Sequence, residues 1–219
     1  MIKVGIVDNH KLIRESFAIL INTFNRIEVV LQAANGIELL DQLPNCSIDV
    51  LLLDLQMPKM TGFETCKWVR SQYPNIKILV VSELNSIEII HKIIQLGAHG
   101  YFTKNSHPKE LERAILNVSD NNIQFGQELS NVLKEILLWD KNNNIKALDS
   151  PIHFSKRELD VARLVCKELS SKAIAEQLCI STNTVETHRQ KILKKTTSNN
   201  FTGSIIYMLK NGFLKIEDL

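Results

Sequence analysis

The chain has 219 residues, 44% hydrophobic and 23% charged, with a formal net charge of +2. These are ordinary proportions for one large or two small globular domains. They exclude a membrane-spanning reading, since no apolar run approaches the roughly 18 residues that a bilayer requires. Its first residues lack a basic region followed by a small-residue cleavage site, so no signal peptide is expected, and the cysteines at 46, 66, 166 and 179 form no C-x-x-C pair. Reduced thiols, no zinc chemistry and a cytoplasmic location are therefore expected. Charge is unevenly distributed: residues 1–150 carry a net −2 and residues 151–219 a net +4, which points to a polyanionic partner for the second part.

Taken in order, Ile2 to Val7 reads as a strand ended by Asp8-Asn9. Lys11 to Thr23 follows with helical apolar spacing. Strands are expected at Glu28 to Ala33, Val50 to Leu53, Ile76 to Val81 and Gly100 to Thr103. Helices are expected at Ile37 to Leu43, Phe63 to Gln72, Ser86 to Leu96 (with Gly97 as C-cap) and from Pro108 to Val118. Alternating strands and helices imply right-handed crossovers and a five-stranded parallel, doubly wound, flavodoxin-like sheet over residues 1–120. Residues 121–150 read as a linker with a helix from Glu128 to Trp139. Residues 151–219 read as a small all-α domain of four helices, about Lys156–Lys167, Lys172–Leu178, Thr182–Lys195 and Phe201–Asn211.

The stretch D-V-L-L-L-D-L-Q-M-P-K-M-T-G from Asp49 to Gly62 sets the chemistry. A strand apolar on both faces stops at Asp54, and Pro58 and Gly62 forbid further pairing. Alone, Asp54 would read as a helix cap. Yet the strand ends Asp8-Asn9, Asp54, Ser82 and Lys104 all fall at the carboxyl edge of a parallel sheet, where ligands bind. Two carboxylates there repel unless a cation lies between them. An oxygen set with open positions suits Mg2+, and Lys104 with the Ser82 hydroxyl suits a tetrahedral anion. Together they describe a carboxylate that receives a phosphoryl group.

In the C-terminal part, a short helix, a tight turn and a longer helix make a helix-turn-helix pattern over residues 170–195. Val185, Ile192 and Thr196 share the inner face of the longer helix. Asn183, Glu186, Thr187, Gln190, Lys191 and Lys194 share the outer face, free to enter a major groove of double-stranded DNA. Arg189, Lys191, Lys194 and Lys195 are expected to hold phosphates, with Thr184 in the first turn also within reach of one.

Through I-V-D at 6–8, L-L-L-D-L-Q-M-P-K-M-T-G at 51–62, V-V-S at 80–82 and G-A-H-G-Y-F-T-K at 97–104, residues 1–119 resemble the receiver domain of two-component response regulators. F-S-K-R-E-L-D-V-A-R-L-V, I-A-E-Q-L and T-V-E-T-H-R-Q-K-I-L-K-K resemble the LuxR-type module, and the whole resembles a NarL/FixJ-type regulator. The resemblance implies Asp54 as phosphoacceptor for a sensor histidine kinase, with Mg2+ on Asp8, Asp54 and the Gln56 backbone carbonyl. It implies Lys104 and Ser82 on the phosphate, Tyr101 moving in concert, and an active homodimer on DNA. It makes Glu158 a structural tie. Departures from the family pattern are Asn9 in place of a second acid, Glu186 in place of a basic residue, and Glu168, Cys179 and Thr197 in place of glycines. The competing readings are a phosphorylation-independent DNA binder, motivated by Asn9, and a metal-dependent phosphohydrolase. Gln56 disfavours the latter, because it stands where such an enzyme has its general acid.

Overall fold

The computed structural model describes residues 1–83, 86–104, 106–120, 124, 133–135, 138, 152–167, 169–215 and 217. The linker helix expected from Glu128 to Trp139 and the departure at Glu168 lie outside the described residues, apart from short pieces of the former. The strands are β1 (Ile2–Val7), β2 (Ile27–Ala33), β3 (Val50–Leu53), β4 (Lys77–Ser82) and β5 (Gly100–Thr103). They form one parallel sheet in the order β2-β1-β3-β4-β5. The order reverses at β1, so the β1 and β3 carboxyl ends flank a crevice.

Helices α1 (Lys11–Ile21) and α5 (Pro108–Ser119) cover one face, burying Ala18, Ile21, Leu111 and Ile115 against Ile6, Leu52, Leu79 and Phe102. Helices α2 (Gly36–Gln42), α3 (Gly62–Gln72) and α4 (Ile87–Gln95) cover the other, with Leu39, Val69 and Ile93 over Leu51, Leu53 and Val80. Burial of β3 on both faces explains its unbroken apolar run. Thr61 starts α3 through a capping box with Glu64. Gly62 is required there, because a Cβ would lie 2.0 Å from the Asp54 carbonyl oxygen. Gly97 ends α4 at φ +98, its amide bonded to Ile94 O at 3.0 Å and that of Ala98 to Ile93 O at 3.0 Å.

The C-terminal helices are α6 (Lys156–Cys166), α7 (Ser171–Leu178), α8 (Thr182–Thr196) and α9 (Phe201–Lys210). Cys179, after α7, and Thr197, after α8, are both left-handed, at φ +52 and +49. Each non-glycine there costs on the order of 1 kcal/mol. Glu158 is the structural tie in two ways: it completes a capping box with Ser155 and takes Lys195 Nζ at 2.7 Å. Lys195 also donates to His153 O at 2.9 Å, so its ammonium is held inside the module rather than offered to a phosphate.

The two units touch through the N-terminus of α9. Asn200 Oδ1 accepts from Gly203 N at 2.7 Å and caps α9, while its Nδ2 donates to Ile94 O at 2.9 Å and to Ala98 O. Asn199 Nδ2 donates to Gln95 O at 3.0 Å, and Arg70 Nη2 to Asn199 O at 2.8 Å. One asparagine thus caps a helix start in one unit and a helix end in the other.

Burial raises the Glu158 carboxyl, but Lys195 and the Ser155 amide outweigh it, and the net shift is downward from the ordinary 4.5. A carboxyl lowered on folding stabilises above its unfolded value and loses that contribution on acidification. Glu158→Gln is expected to cost about 1–2 kcal/mol at pH 7, the partly exposed Lys195 screening the pair. Urea titrations should show the difference between the two proteins shrinking below about pH 4.5.

Candidate functional site

Parallel pairing aligns the strand ends, so Asp8, Asp54, Ser82 and Lys104 converge at one edge. Asp8 and Asp54 are each 3% exposed, which is unusual for carboxylates without a partner. Lys104 is that partner: its Nζ lies 2.7 Å from Asp8 Oδ2 and 3.1 Å from Asp54 Oδ2. Burial raises the Asp54 carboxyl above its ordinary range, partly opposed by Lys104. Burial alone would lower the Lys104 ammonium, but Asp8 and Asp54 outweigh it and raise it. The ion triad is therefore held together by mutual compensation in a partly desolvated site.

The two oxygens of Asp54 differ. Oδ1 accepts from Leu55 N at 2.8 Å. Oδ2 meets the Lys104 charge but has no well-aligned hydrogen bond. Asn9 Oδ1 is likewise buried without a hydrogen-bond partner among the described residues. Two orphaned acceptor oxygens beside Asp8 suit a hard divalent cation. His10 adds a contact that the sequence reading missed. Its amide donates to Asp8 Oδ1 at 2.7 Å, and its Nδ1 is 3.2 Å from the same oxygen. Asp8, His10 and Asp54 have ligand atoms within 4.8 Å of one another, a group able to hold a metal ion. The signal available in sequence was adjacency alone, two residues beyond Asp8. Ser82 is fully buried at the β4 end, and Tyr101 OH donates to the Ser82 carbonyl at 3.1 Å. Gln56 sits exposed, two residues beyond Asp54.

On α8, Ser181 caps the start through Thr184 N at 3.1 Å, and Thr184 Oγ1 lies 2.8 Å from Ser181 Oγ, inside the cap. Asn183, Thr187, Gln190, Lys191 and Lys194 are exposed and Glu186 is half-buried, in keeping with an outer face. Glu186 Oε1 accepts from Ser171 Oγ at 2.6 Å and lies 3.7 Å from Arg189 Nη1. Arg189 departs from the expected placement. It is 2% exposed, donates to Ser171 Oγ at 2.8 Å and stacks 4.8 Å from the Phe201 ring centroid. The wheel position that brings Arg189 beside Val185 and Ile192 turns it inward, and its stem packs with the core.

Residues 4–116 match the family model of the response regulator receiver domain, and residues 153–208 that of bacterial regulatory proteins of the luxR family. The chain belongs to the two-component response regulators of the NarL/FixJ type. It is 30% identical over 215 residues to the transcriptional regulatory protein YxjL of Bacillus subtilis, covering 98% of each chain. It is 31% identical over 215 residues to the oxygen regulatory protein NreC of Staphylococcus aureus, covering 97% of this chain and 99% of that one. Among solved structures, a LuxR-family response regulator from an Aurantimonas species matches 62% of this chain and 97% of its own at 26% identity and a TM-score of 0.58. RcsB of Salmonella enterica bound to a promoter matches 96% of this chain and 98% of its own at 22% identity and a TM-score of 0.58, a likeness of fold. The family acts in transcription regulation and is not one of enzymes.

In this response regulator position 9, next to Asp8, carries an uncharged amide in place of a second acid. Asn9→Asp is expected to tighten divalent-cation binding by about tenfold or more, since it adds one further negative charge beside Asp8. Isothermal titration of the two proteins with Mg2+ checks this.

Proposed function

We propose that this response regulator takes a phosphoryl group on Asp54 from a sensor histidine kinase and in consequence changes its hold on double-stranded DNA. The observation that carries this reading is Asp54 Oδ2, a buried carboxylate oxygen with no aligned donor, facing Lys104 beside Asp8. Oδ2 is the attacking oxygen: the P–O bond forms as the donor's bond to phosphorus breaks. Lys104 then moves its charge from the carboxylate to the transferred phosphoryl oxygens, and Ser82 supplies a hydroxyl. Asp8, Asp54, the Asn9 amide oxygen and the Gln56 carbonyl would hold Mg2+, which neutralises negative charge as the group transfers. Tyr101, buried on β5 against Ser82, follows the serine.

Helix α4 links the two units. Its first turn lies just beyond the β4 end that carries Ser82, and its last turn is capped by Asn200. Nine residues span about 13 Å, so a shift at the phosphoryl edge reaches the C-terminal unit through one rigid element. The cleft beneath that contact is lined by Glu186, Gln190 and Lys194 of α8 on one side and by Arg70, Lys77 and His99 on the other. In this resting arrangement one flank of the DNA-reading helix faces the receiver. Release removes the receiver from beside this helix, so that a duplex can approach Asn183, Glu186, Thr187, Gln190, Lys191 and Lys194 with its base edges and phosphates. Thr184 acts at the first turn, and Arg189 acts from behind, by fixing Glu186 and Ser171. The division into residues 1–120, 121–150 and 151–219, a homodimer in the active state and a cytoplasmic location complete the reading. Among the described residues no helix is long and apolar enough to cross a membrane. The uncharged Asn9 favours one alternative, DNA binding that does not depend on phosphorylation.

A small acyl phosphodonor with Mg2+ is expected to label Asp54 and to raise operator occupancy in a footprint, whereas Asp54→Ala stays unlabelled and unresponsive. Equal occupancy for both proteins, with and without donor, would establish the alternative. Asn200→Ser separates the two caps, because serine caps α9 about as well as asparagine but lacks the amide NH2 that reaches the carbonyls of α4. The unphosphorylated variant should bind DNA as the phosphorylated wild type does, with stability changed by less than about 0.5 kcal/mol.

A further inference from the structure

The cleft between the receiver and α8 has a volume of about 520 Å³ and an excess of positive charge. Arg70, Lys77, Arg189 and Lys194 line it against the single carboxylate of Glu186. That carboxylate is already engaged by Arg189 at 3.7 Å and by Ser171 at 2.6 Å. Arg70 spends its Nη atoms on two backbone carbonyls, and its buried Nε has no partner. Among the described residues, the Lys77 ammonium has no hydrogen bond or close ion pair, and Glu186 attracts it only at longer range. Cations gathered in a partly desolvated space without counter-charge are costly. The strain registers on its neighbours: burial first, then Arg70, lowers the Lys77 ammonium, and burial followed by Lys77, Arg70 and Arg189 holds His99 well below its ordinary range.

We propose that this cleft binds a polyvalent phosphate anion, held by Lys77 and Arg70 from the receiver and by Lys194 and Gln190 from α8. A guanidinium, two ammonium groups and side-chain amides around one space match a tetrahedral oxyanion with several charges. The volume lies within the usual range of small-ligand sites. The proposal rests on the reading of Lys194 as a phosphate-binding side chain, since the anion takes the place of the DNA backbone there. Anion and duplex then exclude each other, and the anion holds the two units closed. By linkage, each weakens the binding of the other.

The test is isothermal titration of the full-length unphosphorylated protein with inorganic pyrophosphate. Parallel arms use inorganic phosphate, ATP without metal, and sulfate. Lys77→Gln and Asn75→Asp alter the cleft outside both the phosphoryl site and the DNA face. Saturable binding of one pyrophosphate per chain is expected, weakened by about tenfold in each variant through the loss of one favourable charge or the gain of one unfavourable one. Should Lys77→Gln fail to fold, the exposed Asn75→Asp alone decides the matter. Tighter binding of pyrophosphate than ATP identifies an inorganic polyanion, and the reverse order a nucleotide. Absence of saturable binding, or undiminished affinity in the variants, overturns the proposal; the latter places the anion at Lys104 instead. A protein that binds pyrophosphate in this variant-sensitive way but fails to footprint DNA keeps the cleft and removes the DNA reading.

Discussion

The placement of Lys104 between Asp8 and Asp54 is the constraint on which the functional edge depends. Two carboxylates, each 3% exposed, stand at the ends of adjacent strands. Without a cation between them, burial and repulsion would protonate one or open the edge. Lys104 reaches them from β5, across the end of β4. The same ammonium compensates both carboxylates at once. An edge built on compensating charges responds to any group that adds or removes charge there.

The second dependence is at the opposite end of α4. Asn200 uses its carbonyl for α9 and its amide for α4, so the end of one helix and the start of another share a side chain. These contacts satisfy terminal groups that would otherwise meet water. Their loss exchanges protein partners for solvent at modest net cost, which suits a reversible junction better than a large apolar interface would. The cationic cleft beside it opposes closure. The contact between the two units is therefore a balance between directed hydrogen bonds and like-charge repulsion.

Within the C-terminal unit, Arg189 and Lys195 show how a basic residue on a recognition helix can be structural. Arg189 packs on Phe201 and orients Ser171 and Glu186, while Lys195 neutralises Glu158. Both hold α8 against its neighbours, and the cationic work of its surface is left to Lys191 and Lys194. The left-handed Cys179 and Thr197 show that the module keeps its turn geometry even where glycine is absent, at a cost in strain.

Much of this protein was legible in its sequence. Because burial and backbone restriction act locally, the apolar runs, Pro108 and Gly97 marked every strand and α-helix of the receiver to within one or two residues, though not the 3-10 turn at Leu43–Asn45. Parallel topology then placed Asp8, Asp54, Ser82 and Lys104 at one edge without any coordinates. The tertiary structure decided what depends on direction and neighbours. It turned Arg189 inward, gave Lys195 to Glu158, brought His10 Nδ1 onto Asp8, and set Asn200 between two helices more than 100 residues apart in the chain. Periodicity assigns a residue to a face, but it does not reveal which partner waits there. That partner comes from a distant part of the chain, and only packing brings the two together.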